Sequence, residues 1–89
     1  MYEGNGIGFE FPCIFPIKVM GKNNVEFEIR ILAIIRKHSP DLGEAAIKIR
    51  HSKAGTYMSI TAMIPAKSKE QLDEIYQELT SEKLVLMVL

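Results

Sequence analysis

The chain has 89 residues, 47% hydrophobic and 25% charged, which is one domain's worth of folding sequence and leaves no room for a second core. Eleven basic residues balance eleven acidic ones, and this lack of a basic excess weighs against a protein that lives on nucleic-acid phosphates, although a local patch would suffice. The single cysteine, Cys13, excludes an intrachain disulfide, no apolar run nears the ~20 residues of a bilayer span, and MYEGNGIGFEF has no signal-peptide pattern; the expected address is the cytoplasm, with no membrane contact.

Residues 1–10, with Gly4, Gly6 and Gly8, read as a loose tail ahead of a single domain at 11–89. The GNGIG run is no phosphate loop, because such a loop follows a strand and opens a helix. From Cys13 to Met20 the residues alternate, with Phe15, Ile17 and Val19 on one face and Pro16, Lys18 and Met20 on the other, which predicts a half-buried strand. Pro16 cannot donate to a ladder, so one side of that strand's first half must lie free or bulged.

VEFEIRI at 25–31 also alternates, and GKNN before it could close a hairpin. Continued through ILAIIRKH the alternation fails, and Phe27, Ile31, Ile34, Ile35 and His38 form one helical stripe opposite Glu26, Arg30 and Lys37. Asn23 with Glu26 reads as a capping box, Glu26 and Arg30 as an i,i+4 pair, and His38-Ser39-Pro40 as a stop. Pattern favours the helix and leaves the strand open. AAIKIRHSK at 45–53 and TYMSITAMI at 56–64 alternate around Ala54-Gly55 and predict a hairpin whose second strand ends at Pro65. Ser68 and Gln71 then open a second helix with Leu72, Ile75, Tyr76 and Leu79 on its apolar face, and LVLMVL at 84–89 closes the chain as a strand. Strand, helix, strand, strand, helix, strand is the order of a ferredoxin-like α+β sandwich, a four-stranded antiparallel sheet with both helices on one face.

FPCIFPIKVMG at 11–21, SKAGTYMSIT at 52–61 and VLMVL at 85–89 resemble the YbeD-like family of small bacterial proteins, and the resemblance covers residues 11–89. It implies a ferredoxin-like fold similar to ACT regulatory domains, favours the helix over the strand at VEFEIRI, and implies no catalytic residue and no cofactor.

The Gly21-Lys22-Asn23-Asn24 corner has three readings. The resemblance to ACT domains implies that this turn contacts an amino-acid ligand, through Gly21, Lys22 and Asn23. An acylphosphatase-type phosphate cradle would need an arginine among the loop amides, and Arg30 falls inside the helix, so that enzyme reading fails. The plainer reading is that Gly21 permits the turn, through a φ above zero, and Asn23 or Asn24 caps the helix.

His38 and His51 have no Cys or carboxylate at ligand spacing and suggest no metal; His38 is expected at the core edge and His51 on the hairpin surface. Cys13 lacks a basic neighbour that would make it a nucleophile and reads as a small, partly buried apolar residue. If Ile47 and Ile49 face the helices, Lys48 and Arg50 point to the open face of the sheet, joined by Lys18, Tyr57, Ser59, Thr61 and Met63. RNA binders of this fold stack bases there on two or three aromatics, and only Tyr57 qualifies. Val25, Ile29 and Leu32 make a second apolar stripe on the first helix, and the last strand is apolar on both faces, guarded only by Lys83. These features predict a homodimer, joined by the edge of the last strand or by open sheet faces, with the helix stripe as the other patch. The reading overall is a non-catalytic, ACT-like regulatory module acting through ligand or protein contacts; the second reading is an RNA-associated protein using Lys18, Lys48, Arg50 and Tyr57.

Overall fold

In the computed structural model, which describes residues 10–89, the elements follow the expected order. They are β1 (Cys13–Lys22), α1 (Val25–His38), a short 3-10 turn (Glu44–Ala46), β2 (Ile47–His51), β3 (Tyr57–Ala66), α2 (Lys69–Ser81) and β4 (Val85–Val88). The sheet is antiparallel in the order β2-β3-β1-β4, the ferredoxin-like arrangement, with α1 and α2 packed on one face. Residues 1–9, assigned to the tail from sequence, lie outside the described residues.

Side-chain parity builds the core. Odd positions of β1 and even positions of β3 face the helices, so Ile17 and Val19 meet Ile60, Ala62 and Ile64 beneath Phe27, Ile31 and Ile35 of α1 and Leu72, Ile75 and Leu79 of α2, all buried. Each large aliphatic side chain so buried contributes about 1.5–3 kcal/mol against exposure. Ile34 and Tyr76 of the expected stripes are half-buried, and Tyr76 meets Phe15 edge-on, ring centres 6.5 Å apart.

Several boundaries differ from the sequence expectation; β2, expected over 45–53, spans only Ile47–His51, because residues 44–46 form the 3-10 turn. β1 runs two residues past Met20, which puts Gly21 inside the strand. Gly55, with φ +76°, is the glycine in the left-handed region among the described residues; Gly21 is not. A Cβ on Gly21 would instead lie 2.6 Å from Cδ1 of Phe27 and 2.8 Å from the Leu84 carbonyl oxygen, so the glycine is there for close packing rather than for a turn. Asn24, not Asn23, caps α1, its Oδ1 accepting from the Glu26 amide at 2.7 Å. The Asn23 side chain points elsewhere: its Nδ2 donates to the Gly55 carbonyl at 2.9 Å, while the Asn23 backbone N–H donates to the Thr56 carbonyl at 2.9 Å, and together they tie the end of β1 to the β2–β3 hairpin.

Pro65, expected to end its strand, lies within β3, paired with Ile14. Lys18 exchanges both backbone hydrogen bonds with Leu89, so even positions of β1 direct their backbone toward β4, and Pro16 directs its nitrogen the same way, beyond the β4 ladder. Odd positions of β3 direct theirs toward β2, as the Ser52 amide to Tyr57 carbonyl bond shows. The β2–β3 ladder stops at Ile47–Ala62, so Pro65 removes no ladder bond. Both prolines therefore occupy positions where an N–H would have had no strand to meet.

The register of β1 against β4 shifts between Met20 and Gly21, the pairs being Met20–Met87 and Gly21–Val85. This bulge breaks the expected alternation of LVLMVL: Val85 and Val88 both pack against the core, while Leu86, Met87 and Leu89 are exposed.

Candidate functional site

Parity that buries one face of the sheet fixes the other. The face away from the helices carries Lys18, Met20 and Lys22 from β1, Lys48 and Arg50 from β2, and Tyr57, Ser59, Thr61 and Met63 from β3. Lys18, Lys48, Arg50 and Tyr57, singled out from sequence, are all exposed on this one face. The register places them in cross-strand rows. Lys18, Thr61 and Lys48 form one row, Met20, Ser59 and Arg50 the next, and Lys22 pairs with Tyr57 at the hairpin end. Lys22, assigned from sequence to the turn, belongs to this face instead, because β1 extends through it.

No strand position on this face is an aspartate or glutamate, and among the described residues none of Lys18, Lys22, Lys48 and Arg50 pairs with a carboxylate. In the helix layer every cation but Arg36 has a carboxylate partner. Arg30 bonds Glu26 at 2.7 Å and Glu82 at 3.3 Å, Lys37 bonds Glu78 at 3.1 Å, and Lys69 bonds Asp73 at 2.8 Å. The chain is neutral as a whole and polarised in space, with acid gathered on the helices and unpaired cation on the sheet.

The ion pairs of the helix layer set its titration. The His38 Nε2–H, 2.8 Å away, and then the Lys37 ammonium hold the Glu78 carboxyl below the usual range. The Leu84 amide, with Arg30 behind it, does the same for Glu82. His38 thus occupies the core edge as expected, but as a partner of Glu78 on α2, which joins the two helices. His51 is exposed on β2 and Cys13 half-buried, both as read from sequence. Among the described residues no group of three or more His, Cys, Asp or Glu could hold a metal ion.

The turn residues do not converge. Gly21 is covered by Phe27 and Leu84, Lys22 lies on the open face, and the Asn23 amide group is spent on the hairpin. A cleft of about 220 Å³ next to the start of α1 is lined by Lys22, Asn24, Phe27, Lys83, Leu84 and Leu86. Glu26 and Glu28 in the first turn of α1 oppose an anion there, and Asn24 already satisfies one of the free amides.

A larger cavity, about 420 Å³, was not foreseen from sequence. It lies at the opposite end of the sheet, where the β2–β3 ladder has stopped and residues 39–46 bridge from α1 to β2. Its walls include Ile14, Pro40, Leu42, Ala46, Met63 and Pro65. The available signal was Pro65 within an alternating run, which marks a strand whose neighbour must be absent.

No helix of the described residues is long and apolar enough to cross a membrane. Residues 8–89 match the family model described as a protein of unknown function, DUF493. A UPF0250 protein of Chromobacterium violaceum is 44% identical over 81 residues, covering 91% of each chain. The UPF0250 protein NMC1112 of Neisseria meningitidis serogroup C is 48% identical over 80 residues, 90% of this chain and 88% of its own. The solution structure of protein HP0495 from H. pylori shares the fold with a TM-score of 0.64 at 12% identity, covering all of this chain and 93% of the other. The chain therefore belongs to the DUF493/UPF0250 family, the YbeD-like small bacterial proteins.

Proposed function

We propose that the protein is a non-catalytic regulatory module that binds an acidic partner protein through the open face of its sheet. The observation that supports this reading is the cluster of cations Lys18, Lys22, Lys48 and Arg50, which pair with no carboxylate among the described residues and share a face whose strand positions include no aspartate or glutamate, in a chain of zero net charge. Unpaired like charges repel one another and cost stability, so a face that keeps them gains from an anionic surface brought against it. Met20, Met63 and Met87 lie among these cations, and thioether side chains suit a surface that adapts to a partner. An RNA partner would use the same charges, but among the described residues Tyr57 is the one aromatic on the face, too few for base stacking.

Binding to immobilised polyglutamate and to single-stranded RNA, measured side by side, tests the reading. Retention on polyglutamate should fall in Lys48→Glu/Arg50→Glu and persist in Arg36→Glu/Lys69→Glu, a charge change of equal size on the two helices. Equal loss in both variants would leave no role for the sheet face, and preference for RNA would favour the nucleic-acid reading.

We also propose that the module is a homodimer paired along β4. This strand is at the sheet edge, and the bulge leaves Leu86, Met87 and Leu89 50% or more exposed. Pairing two such edges would satisfy their backbone groups and cover these side chains.

A further inference from the structure

We infer that the acidic partner binds as an extended segment that plants one large apolar side chain in the cavity at the Met63 end of the sheet. This inference rests on the reading of the open face as the binding surface. Ile14, Met63 and Pro65 are at once walls of the cavity and positions on that face, so the cavity opens onto the cationic surface without a break. At about 420 Å³ it falls within the roughly 300–1,000 Å³ of clefts that hold small molecules or anchoring side chains.

The register then fixes the spacing of the partner. Moving along β3 from Met63, the next residue on the open face is Thr61, flanked by Lys18 and Lys48, and the one after is Ser59, flanked by Arg50. Each step of two residues is ~6.6 Å. An extended peptide has the same two-residue period, so an anchor in the cavity sets an acidic residue two positions on against Lys18 and Lys48. A second acid, four positions from the anchor, meets Arg50. The pattern is anchor-x-acid-x-acid.

Ser39 narrows the anchor. It lines the cavity, is only 7% exposed, and its hydroxyl has no protein partner among the described residues. An apolar anchor that filled the cavity would cut this hydroxyl off from water, a cost that an aromatic anchor with a polar tip, tyrosine or tryptophan, offsets by supplying a hydrogen bond. Asp41 and Lys67 also line the cavity, and their opposite charges leave it without a net preference.

Selection from a random-peptide display library on the immobilised full chain tests the inference, followed by fluorescence anisotropy of the enriched peptide. The expected pool carries an aromatic anchor followed by acids at the second and fourth positions. Ala46→Phe, which fills the cavity, and the same peptide with alanine at its anchor should each weaken binding about tenfold or more. The anchorless peptide gives this readout even if Ala46→Phe fails to fold. Acidic peptides that bind without an anchor, unaffected by Ala46→Phe yet lost in Lys48→Glu/Arg50→Glu, would overturn the anchor and leave the cationic face standing. A pool without acids, or displacement of every selected peptide by oligouridine, would overturn both.

Discussion

The ring of Phe27 occupies the space that a side chain at Gly21 would need. The Leu84 carbonyl closes the same space from the chain leading into β4, so neither a backbone shift nor a rotamer change at one neighbour relieves a Cβ there. Gly21→Ala should therefore destabilise the fold by about 1–3 kcal/mol through overpacking, and Gly21→Val by more. Denaturant unfolding measures it. Phe27→Leu should recover part of the loss in the double variant, and strict additivity of the two changes would refute the packing explanation.

The two asparagines before α1 should separate cleanly by experiment. Asn24→Ala removes the helix cap and should cost ~1 kcal/mol, with Asn24→Ser nearly neutral. Asn23→Ala removes one bond to Gly55 and should cost about 0.5–1.5 kcal/mol, with Asn23→Ser no better than alanine. Amide exchange near Gly55 should accelerate in the Asn23 variant and not in the Asn24 variant.

Below the ordinary glutamate range the helix layer should loosen. Glu78 and Glu82 have folded-state pKa values depressed by their hydrogen bonds, so the stability they contribute is present above the unfolded value of about 4.5 and is lost as pH falls through the lower folded values. Melting temperature should therefore fall on acidification below about pH 4.5. Glu78→Gln should lower stability at neutral pH and flatten that fall. An unchanged acid slope in Glu78→Gln would assign it to other carboxylates.

Sedimentation equilibrium checks the dimer. The native chain should associate at micromolar concentration, and Leu86→Lys and Leu89→Lys should shift it to monomer while keeping its fold, because both side chains are about 60% exposed. Val88 is not a fair probe, since the bulge turns it onto the core. A native monomer would remove the proposal for β4.

Much of this fold was legible because its periodicities are long. Ten residues of β3 alternate without a break in parity, and α2 announces itself with a serine cap and four spaced apolar residues. The open-face cations followed from the same parity once Ile47 and Ile49 were set inward. What pattern could not supply was proximity between distant residues. Gly21 reads as a turn glycine unless Phe27 and Leu84 are known to press on it, and Asn23 reads as a cap unless Gly55 is known to be near. The 420 Å³ cavity depends on where β2 begins relative to Pro65, a matter of one register that neither run states by itself.

The ten-residue ladder between β1 and β3 joins positions as close as 35 apart, at Lys22–Tyr57, and as far as 53 apart, at Cys13–Ala66. The β2–β3 hairpin closes over a handful of residues, so its loop-closure entropy is small, whereas the central ladder must close a long loop before any of its pairs form. Refolding should accordingly wait on β1. Substitutions at Ile17 or Val19, which lock that ladder to the helices, are expected to slow the folding limb of a chevron. Substitutions in β4 should instead act on unfolding, because the strand can pair only after β1 is in place.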